Sequence, residues 1–330
     1  MIVLSDQVWQ PGRRIQQPTS KRGYAVPATL PRIAQGLAPG LRFWLGTHQP
    51  SWLEHAAVPL FVSDTRLRGR KRLPRAIAPW ACDSGGFTML QQQGRWTVTP
   101  EEYVDRLRRY AAEITQMSFC APQDWMCEPK IRTGGTAGRV RFVGTHLSVK
   151  EHQHRTVENL LRLRELAPEL PIIPVLQGYE IGEYVHCAEL YARAGVDLTA
   201  EPLVGLGSVC RRQATQQIAQ LAAIFAGAGM ALHGFGVKTG GLAAYGEHLV
   251  SSDSQAWSDA GRWVAGCTPT HKRENNCLPF ALAWRRRVLD RAAGPAQLTL
   301  PLPLLSVQTQ ITPQHRQGVI VDPRDWEDPE

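Results

Sequence analysis

Short apolar segments recur along the chain, and each is bounded by glycine, proline or polar residues. Apolar runs of this kind are typical of parallel strands that are buried on both faces. The predicted strands are LRFWLGT (41–47), IAPWACD (77–83), ITQMSFCA (114–121), PIIPVLQG (171–178), LVGLGSV (203–209), ALHGFGV (231–237) and HLVSSDS (248–254).

Amphipathic segments separate these strands, with apolar residues three and four positions apart. The clearest follows Thr99, where Pro100 suits the first helical turn and Glu101 lies near the positive end of the helix dipole. Further helices are predicted at 149–167, 181–194 and 211–228. Strands that alternate with helices over this length predict an α/β fold, a TIM (β/α)8 barrel, with a doubly wound sheet as the alternative.

Three regions differ in composition. Residues 1–40 are rich in Pro, Gly, Gln and Arg and lack an apolar period, so we expect an N-terminal arm there. The barrel is expected at 41–293 and includes a Cys/His segment at 266–290. Residues 294–330 contain the proline-punctuated TLPLPLL and an acidic end, which is typical of an extended tail.

Length and composition exclude several classes of protein. A chain of 330 residues with 43% hydrophobic residues can bury a full core, unlike a small disulfide-stapled module. It has no apolar run long enough for a membrane span and no signal peptide, so we expect a cytoplasmic protein without a membrane partner. Seven cysteines without a framework spacing fit a reducing compartment. A net charge of +8 favours a polyanionic partner, because basic surfaces release counterions from phosphates.

Polar residues stand where several predicted strands end, which is where barrel enzymes place their functional groups. These residues are Asp83, Asp124, Gln177 and Asp253. Two carboxylates at one barrel mouth can displace a group at a sugar C1′, one as nucleophile and the other by moving the proton. A single aspartate before Ser-Gly-Gly is more often a turn or cap residue. Four polar residues at successive strand ends favour catalysis instead.

Six motifs stand in an order that resembles the tRNA-guanine transglycosylases over about residues 40–285. They are Asp83-Ser84-Gly85-Gly86-Phe87, Pro122-Gln123-Asp124, Val175-Leu176-Gln177-Gly178, Gly205-Leu206-Gly207, Gly234-Phe235-Gly236-Val237 and Asp253. The resemblance implies that Asp253 is the nucleophile and Asp83 the general acid/base, although these two roles could be exchanged. It also implies a site that binds a purine-like base. The expected binding residues are Ser84, Gly85, Phe87, Asp124, Gln177, Gly205, Leu206 and His48, the last from its position at a strand end.

Other segments depart from the tRNA enzymes. The run at 251–257, together with GTHQPSWL (46–53) and CLPFALAWR (277–285), resembles the deoxypurine in DNA protein A family. That resemblance implies an enzyme that exchanges guanine in DNA for a 7-deazaguanine base. A tRNA-guanine transglycosylase and a non-catalytic nucleic-acid-binding barrel remain alternatives. A protein distinguishes RNA from DNA by a contact to the 2′-hydroxyl, and no residue in the sequence identifies such a contact.

A guanine inside duplex DNA must be flipped out or met as a single strand, which costs a few kcal/mol. Helper proteins that open the duplex are therefore candidate partners. The basic run at 66–75 lies between the first two predicted strands, and we expect it on a loop at the active face, where it would grip phosphates. Trp44, Trp52 and Trp80 are candidates for stacking on bases. The alternatives are a solvated loop and ordinary core aromatics.

Two further motifs lie near the C-terminal end. Cys267, His271 and Cys277 have the spacing of a structural Zn²⁺ turn, with Glu274 as the candidate fourth ligand. Alternatively, the three residues only pack against the following helix. The run Gln297–Leu302 resembles the short peptides that dock bacterial DNA enzymes on the sliding clamp, unless it is a tail strand that packs on the barrel.

Overall fold

The computed structural model describes residues 41–292 apart from 211, 213 and 214. The predicted arm (1–40), the tail (294–330) and the Gln297–Leu302 motif lie outside these described residues. None of the helices within the described part of the chain is both long and apolar enough to cross a membrane.

Eight parallel strands form one curled sheet, in the order β4-β3-β2-β1-β10-β9-β8-β7. The strands are β1 (Arg42–Thr47), β2 (Leu60–Ser63), β3 (Trp80–Asp83), β4 (Met117–Cys120), β7 (Val175–Leu176), β8 (Val204–Leu206), β9 (Leu232–Gly234) and β10 (Ser251–Ser254). An isolated parallel bridge joins Cys120 in one edge strand to Ile172, shortly before the other edge strand. Two short strands, β5 (Gly135–Ala137) and β6 (Val140–Phe142), form a separate antiparallel pair.

Each of the seven predicted strands contains an observed strand, but the prediction missed β2 and the β5–β6 pair. Only four residues, LFVS, form β2, and they directly follow Pro59. So short a run carries little periodic signal, although pairing with both neighbouring strands places it in the middle of the sheet. The predicted alternation of strands and helices therefore holds, with one more strand in the main sheet than the pattern indicated.

Ten helices connect or flank these strands within the described residues. They are α1 (Asp64–Leu67), α2 (Gly86–Gln93), α3 (Pro100–Glu113), α4 (Pro129–Thr133), α5 (Val149–Leu166), α6 (Ile181–Arg193), α7 (Gln216–Gly227), α8 (Thr239–Tyr245), α9 (Ala256–Gly261) and α10 (Leu278–Ala292). The predicted start at Thr99 is confirmed, since its side chain and that of Glu102 form a reciprocal capping box. By contrast, α7 begins later than predicted, after the N-cap Thr215.

Strand side chains divide between two apolar clusters, as the period of two along a strand requires. Alternate positions of β1 illustrate the division, because Phe43 and Leu45 pack towards the helices while Trp44 packs in a second cluster. The second cluster consists of Trp44, Phe61, Ala81, Phe119, Ile173 and Leu203. Its large side chains fill the concave side of the curled sheet, and one of them, Phe61, also lines the cleft described below.

A buried aspartate ties the start of α1 to α3. The Asp64 side chain is almost fully buried and accepts hydrogen bonds from Tyr110 Oη at 2.7 Å and Arg106 Nη1 at 3.1 Å. We expect Asp64→Ala to lower the free energy of unfolding by roughly 2 kcal/mol, because it leaves two donors without their acceptor. Urea unfolding would measure the change. Arg193→Ala, which removes exposed contacts with Glu189 on α6, is the control and should cost less than about 0.5 kcal/mol.

Candidate active site and metal centre

A cleft of about 240 Å³ opens where the parallel strands end. Its walls come from all eight strands of the sheet or from the loops that follow them, as expected for an α/β sheet of this kind. The residues that line it are Gly46, Thr47, Phe61, Ser63, Asp83, Phe87, Asp124, Met126, Glu128, Gln177, Gly207, Ser208, Cys210, Phe235, Gly236, Asp253 and Gln255. The structure thus brings together all four polar residues that the sequence placed at strand ends.

Asp253 lies near the end of β10, and two neighbouring groups contact one oxygen of its carboxylate. The backbone N–H of Gly236 donates to Asp253 Oδ1 at 3.0 Å, and the Nε2 atom of His233 lies 3.3 Å from the same oxygen. His233 is fully buried, and its Nδ1 lies within hydrogen-bond distance of Ser251 Oγ at 2.8 Å. These contacts fix one carboxylate oxygen, so the side chain is oriented before a substrate arrives.

Asp83 ends β3 and lies in the same cleft, half-buried. Burial raises the pKa of its carboxyl group to about 6, hydrogen bonds from Ser63 and the Gly85 backbone oppose the rise, and the nearby charge of Asp253 adds to it. A glycine at position 85 is required locally, since its φ is +75° and a Cβ there would clash with Thr65. Asp83 can therefore exchange a proton near neutral pH.

Asp124 and Gln177 form a buried pair on the other side of the cleft. Gln177 is fully buried, and its amide Nε2 donates to Asp124 Oδ2. Burial raises the pKa of Asp124 to about 7, although the Gln177 hydrogen bond opposes the rise. Gly207 packs directly against the Gln177 amide, where any Cβ would overlap it. The pair presents a carboxyl and an amide to a planar ligand with polar edges.

Sequence reasoning missed Ser208 and Glu128, which extend this buried pair. The Ser208 hydroxyl lies 2.7 Å from Gln177 Oε1 and 2.9 Å from Glu128 Oε2, and it accepts the N–H of Cys127 at 2.8 Å. A single hydroxyl proton serves one of the two acceptors at a time. Its position could have indicated a functional role, because Ser208 closely follows the end of β8.

The other predicted binding residues are divided between the cleft and its surroundings. Phe87 lines the cleft, whereas Ser84 is buried beside it and Gly85 forms the turn below it. Gly205 and Leu206 lie within β8, and the next two residues along the chain line the cleft in their place.

His48 was predicted to touch the ligand, but it lies outside the cleft lining. Its Nε2 lies 2.6 Å from Asn276 Oδ1, its Nδ1 lies 3.0 Å from Gln255 Nε2, and its ring stacks on Trp257. Gln255 lines the cleft, so His48 is one contact removed from it.

The basic run at 66–75 does not stay at the active face. It connects β2 to β3, and the Lys71 carbonyl accepts from Arg109 near the end of α3. Ala76 then bonds to Ile114, shortly before β4 begins. Because α3 runs opposite to the strands, the second half of the run lies at the amino ends of the strands, away from the cleft.

The three tryptophans proposed to stack on bases are core residues. Trp44 and Trp80 are fully buried, and Trp52 is 7% exposed and packs against Trp257. The prediction of stacking on nucleic acid was therefore wrong for all three. Their size and apolar surface are used to fill the core, which is the more frequent role of a tryptophan on or beside a strand.

Four potential metal ligands meet outside the cleft. The ligand atoms of Cys267, His271, Glu274 and Cys277 all lie within 4.8 Å of one another, which places Glu274 beside the three predicted residues. Cys267 Sγ lies 3.6 Å from both Cys277 Sγ and His271 Nε2, and the latter lies 3.3 Å from Glu274 Oε1. This group can hold a metal ion.

The raised pKa of Asp124 predicts how stability depends on pH. A carboxyl group whose folded pKa lies above its unfolded value favours the fold at low pH, and this contribution is lost as the pH rises through about 7. We expect Asp124→Asn to reduce the fall in unfolding free energy between pH 5 and pH 8 by on the order of 2 kcal/mol. Urea unfolding at the two pH values would measure it. Asp105→Asn, on the exposed face of α3, should keep the wild-type dependence, and an unchanged dependence in Asp124→Asn would contradict the prediction.

Comparison with known proteins gives one family. No curated protein matches the chain. The family model described as DeoxyPurine in DNA protein A matches residues 41–301, which is most of the chain and includes every residue of the cleft and of the metal-ligand group. The chain therefore belongs to the DeoxyPurine in DNA protein A family, and this membership implies a role in 7-deazaguanine modification of DNA.

Proposed function

We propose that the chain is a DNA-guanine transglycosylase, a pentosyltransferase that exchanges guanine in DNA for a 7-deazaguanine base. The observation that supports this best is the meeting of Asp83 and Asp253 in one cleft with the buried Asp124–Gln177 pair. Two carboxylates suit displacement at C1′ of a sugar, and the buried pair suits a planar base with polar edges. Family membership supplies DNA as the polymer.

The first half of the reaction removes guanine. An oxygen of Asp253 attacks C1′ of the deoxyribose, and the C1′–N9 bond breaks with its electron pair going to the base. Asp83 in its acid form gives a proton to the departing base, and the sugar remains joined to Asp253 as an ester. The hydrogen bond from Gly236 and the proximity of His233 hold Oδ1 of Asp253, which leaves Oδ2 as the attacking oxygen.

The second half reverses these steps with another base. The 7-deazaguanine gives its N9 proton to the Asp83 carboxylate, its N9 attacks C1′, and the bond to Asp253 breaks. Asp83 must act once as acid and once as base, and a pKa of about 6 suits both roles near neutral pH.

Recognition of the base falls to Asp124 and Gln177. Both are buried, so a ligand that lacks matching donors and acceptors would leave polar groups unpaired, which is costly. The 7-position of a deazaguanine carries no ring nitrogen and does not alter the pyrimidine edge. The same two residues can therefore bind the departing and the incoming base.

The closed barrel is part of this proposal. The Cys120–Ile172 bridge links the two edge strands of the sheet, and the N–H of Cys120 donates to the Pro171 carbonyl at 3.0 Å. A (β/α)8 barrel with one such bridge at its seam accounts for cleft walls that come from both edges of the sheet.

The metal ion in the proposal is Zn²⁺, with a structural role. Two sulfurs, one imidazole and one carboxylate form a donor set that zinc accepts. Zinc bonds of 2.0–2.3 Å in a tetrahedron require ligands roughly 3.3 to 3.8 Å apart. Three of the six separations in the group are 3.6, 3.6 and 3.3 Å, and all six are within 4.8 Å. Four protein ligands leave no position for a substrate, so the ion would hold the segment before α10 in place.

The proposed exchange predicts a specific loss in Asp253→Asn. Cells that express the wild-type chain and are supplied with a 7-deazaguanine should contain a deaza-deoxynucleoside in their DNA, detected by mass spectrometry of hydrolysed DNA. We expect Asp253→Asn to lower its yield at least about a hundredfold, because the amide is a poor nucleophile. Asp105→Asn should retain the wild-type yield.

The same samples test the alternatives. A modified nucleoside in tRNA together with unmodified DNA would replace this proposal by tRNA exchange. Modified DNA that persists in Asp253→Asn would contradict the role given to Asp253. Modification of neither nucleic acid by the wild-type chain, with every required base supplied, would favour a binding protein without turnover.

The metal group predicts one zinc ion per chain. Elemental analysis of protein purified without chelators should find close to one equivalent, and Cys277→Ser should retain much less, because the site loses a thiolate. Cys210→Ser, which lies outside the group, serves as the control. Equal zinc content in both variants would show that these residues do not bind the ion.

A further inference from the structure

Two residues of the metal-ligand group, Cys267 and His271, lie within a short hairpin whose surface combines cationic side chains with an exposed tryptophan. The chain forms an antiparallel bridge between Ala265 and Arg273, and the N–H of Gly266 donates to the Lys272 carbonyl at 3.1 Å. We call residues 262–273 the basic hairpin, because they include three cationic residues and no acidic residue.

An exposed tryptophan stands on this hairpin. Trp263 is 67% exposed, more than any other large hydrophobic residue in the described part of the chain. A single exposed apolar side chain is ordinary, but an indole with most of its surface in solvent offers a flat ring that another molecule can cover. The guanidinium carbon of Arg273 lies 6.0 Å from its ring centre, so the exposed ring already has a cation beside it.

The cations around Trp263 are available to a polyanion. Arg262 and Lys272 are exposed. Arg262 pairs with Asp259 at 3.5 Å, and the two side chains are 61% and 79% exposed. Such exposed pairs contribute little free energy, so a phosphate can replace Asp259. An aromatic ring flanked by cations fits a nucleotide, with the base on the ring and the phosphates on the cations.

The hairpin is attached at the edge of the cleft by two connections. Gln255 lines the cleft, and α9, which follows it directly, is six residues long, or about 9 Å, before the hairpin begins. On the other side, Asn276 directly precedes the metal ligand Cys277 and contacts His48, which contacts Gln255. A nucleotide bound on the hairpin therefore lies close to the strand that enters the cleft.

We propose that the basic hairpin binds an unpaired nucleotide of the DNA next to the guanine in the cleft, with its base stacked on Trp263 and phosphates on Arg262 and Lys272. The identification of the polymer as DNA rests on the proposed function. The hairpin supplies a cationic contact near the cleft, whereas the second half of the run at 66–75 lies at the opposite end of the sheet. Stacking here also compensates for part of the cost of separating the duplex.

The test measures binding of the full chain to a fluorescein-labelled DNA duplex with a short central bubble that contains guanine, by fluorescence anisotropy. We expect Trp263→Ala to weaken binding about fivefold to a hundredfold, the range for the loss of one stacked base. Trp263→Phe keeps an aromatic ring and should restore most of the affinity. Ile77→Ala removes another exposed apolar side chain, 55% exposed, and should bind as the wild type does.

Salt dependence separates the cations from the ring. Lys272→Gln and Arg262→Gln should each reduce the slope of log Kd against log salt by about one, because each removes one phosphate contact. Trp263→Ala should leave this slope unchanged. Wild-type affinity in Trp263→Ala, or an effect of this substitution on RNA of the same sequence but not on DNA, would overturn the inference.

Failure of the inference and failure of the proposed function give different results. A chain that binds DNA through Trp263 but makes no modified nucleoside would refute base exchange alone. Base exchange in cells together with bubble binding that Trp263→Ala does not weaken would refute the hairpin alone.

Discussion

The curvature of the parallel sheet is the constraint on which the cleft depends. Asp253 and Asp83 stand on strands β10 and β3, which are separated by β1 and β2. Three strand spacings of roughly 4.8 Å would place the two strands about 14 Å apart in a flat sheet. Because the sheet curls, both side chains enter one cleft, and the charge of Asp253 contributes to the raised pKa of Asp83. The aromatic cluster on the concave side supports that curvature from within.

The carboxyl groups of the cleft have different surroundings, and this difference determines what chemistry the cleft can perform. Asp83 and Asp124 have pKa values raised by burial, so each can hold a proton near neutral pH. Asp253 instead receives a backbone hydrogen bond and lies beside a buried histidine. A cleft with both proton-holding and oriented carboxyl groups can divide the tasks of proton transfer and attack, which a set of equivalent acids could not.

The sequence was sufficient to predict the parts of the fold that repeat and the residues that follow strands. Asp83, Asp124, Gln177 and Asp253 were found because strand ends are visible as apolar runs that stop at a polar residue. The pattern locates a strand end to within one or two residues, which is why Gly205 and Leu206 were chosen two positions before Gly207 and Ser208, which line the cleft. It carries no information on loop paths, so the second half of the basic run at 66–75 was placed at the wrong end of the sheet. The role of Ser208 depends on contacts among three segments that are distant in the sequence, and no local pattern contains those contacts.

The Gln177 amide is held at both ends by protein groups, Asp124 on one side and Ser208 on the other, with Gly207 packed against its face. These residues come from loops after three different strands, yet none can change without leaving a buried partner unsatisfied or a clash. Over evolutionary time such positions should vary together or not at all. Among relatives of this chain, a substitution at one of the four should therefore be accompanied by substitutions at others, and under the proposed function such groups of changes would mark relatives that accept a different base.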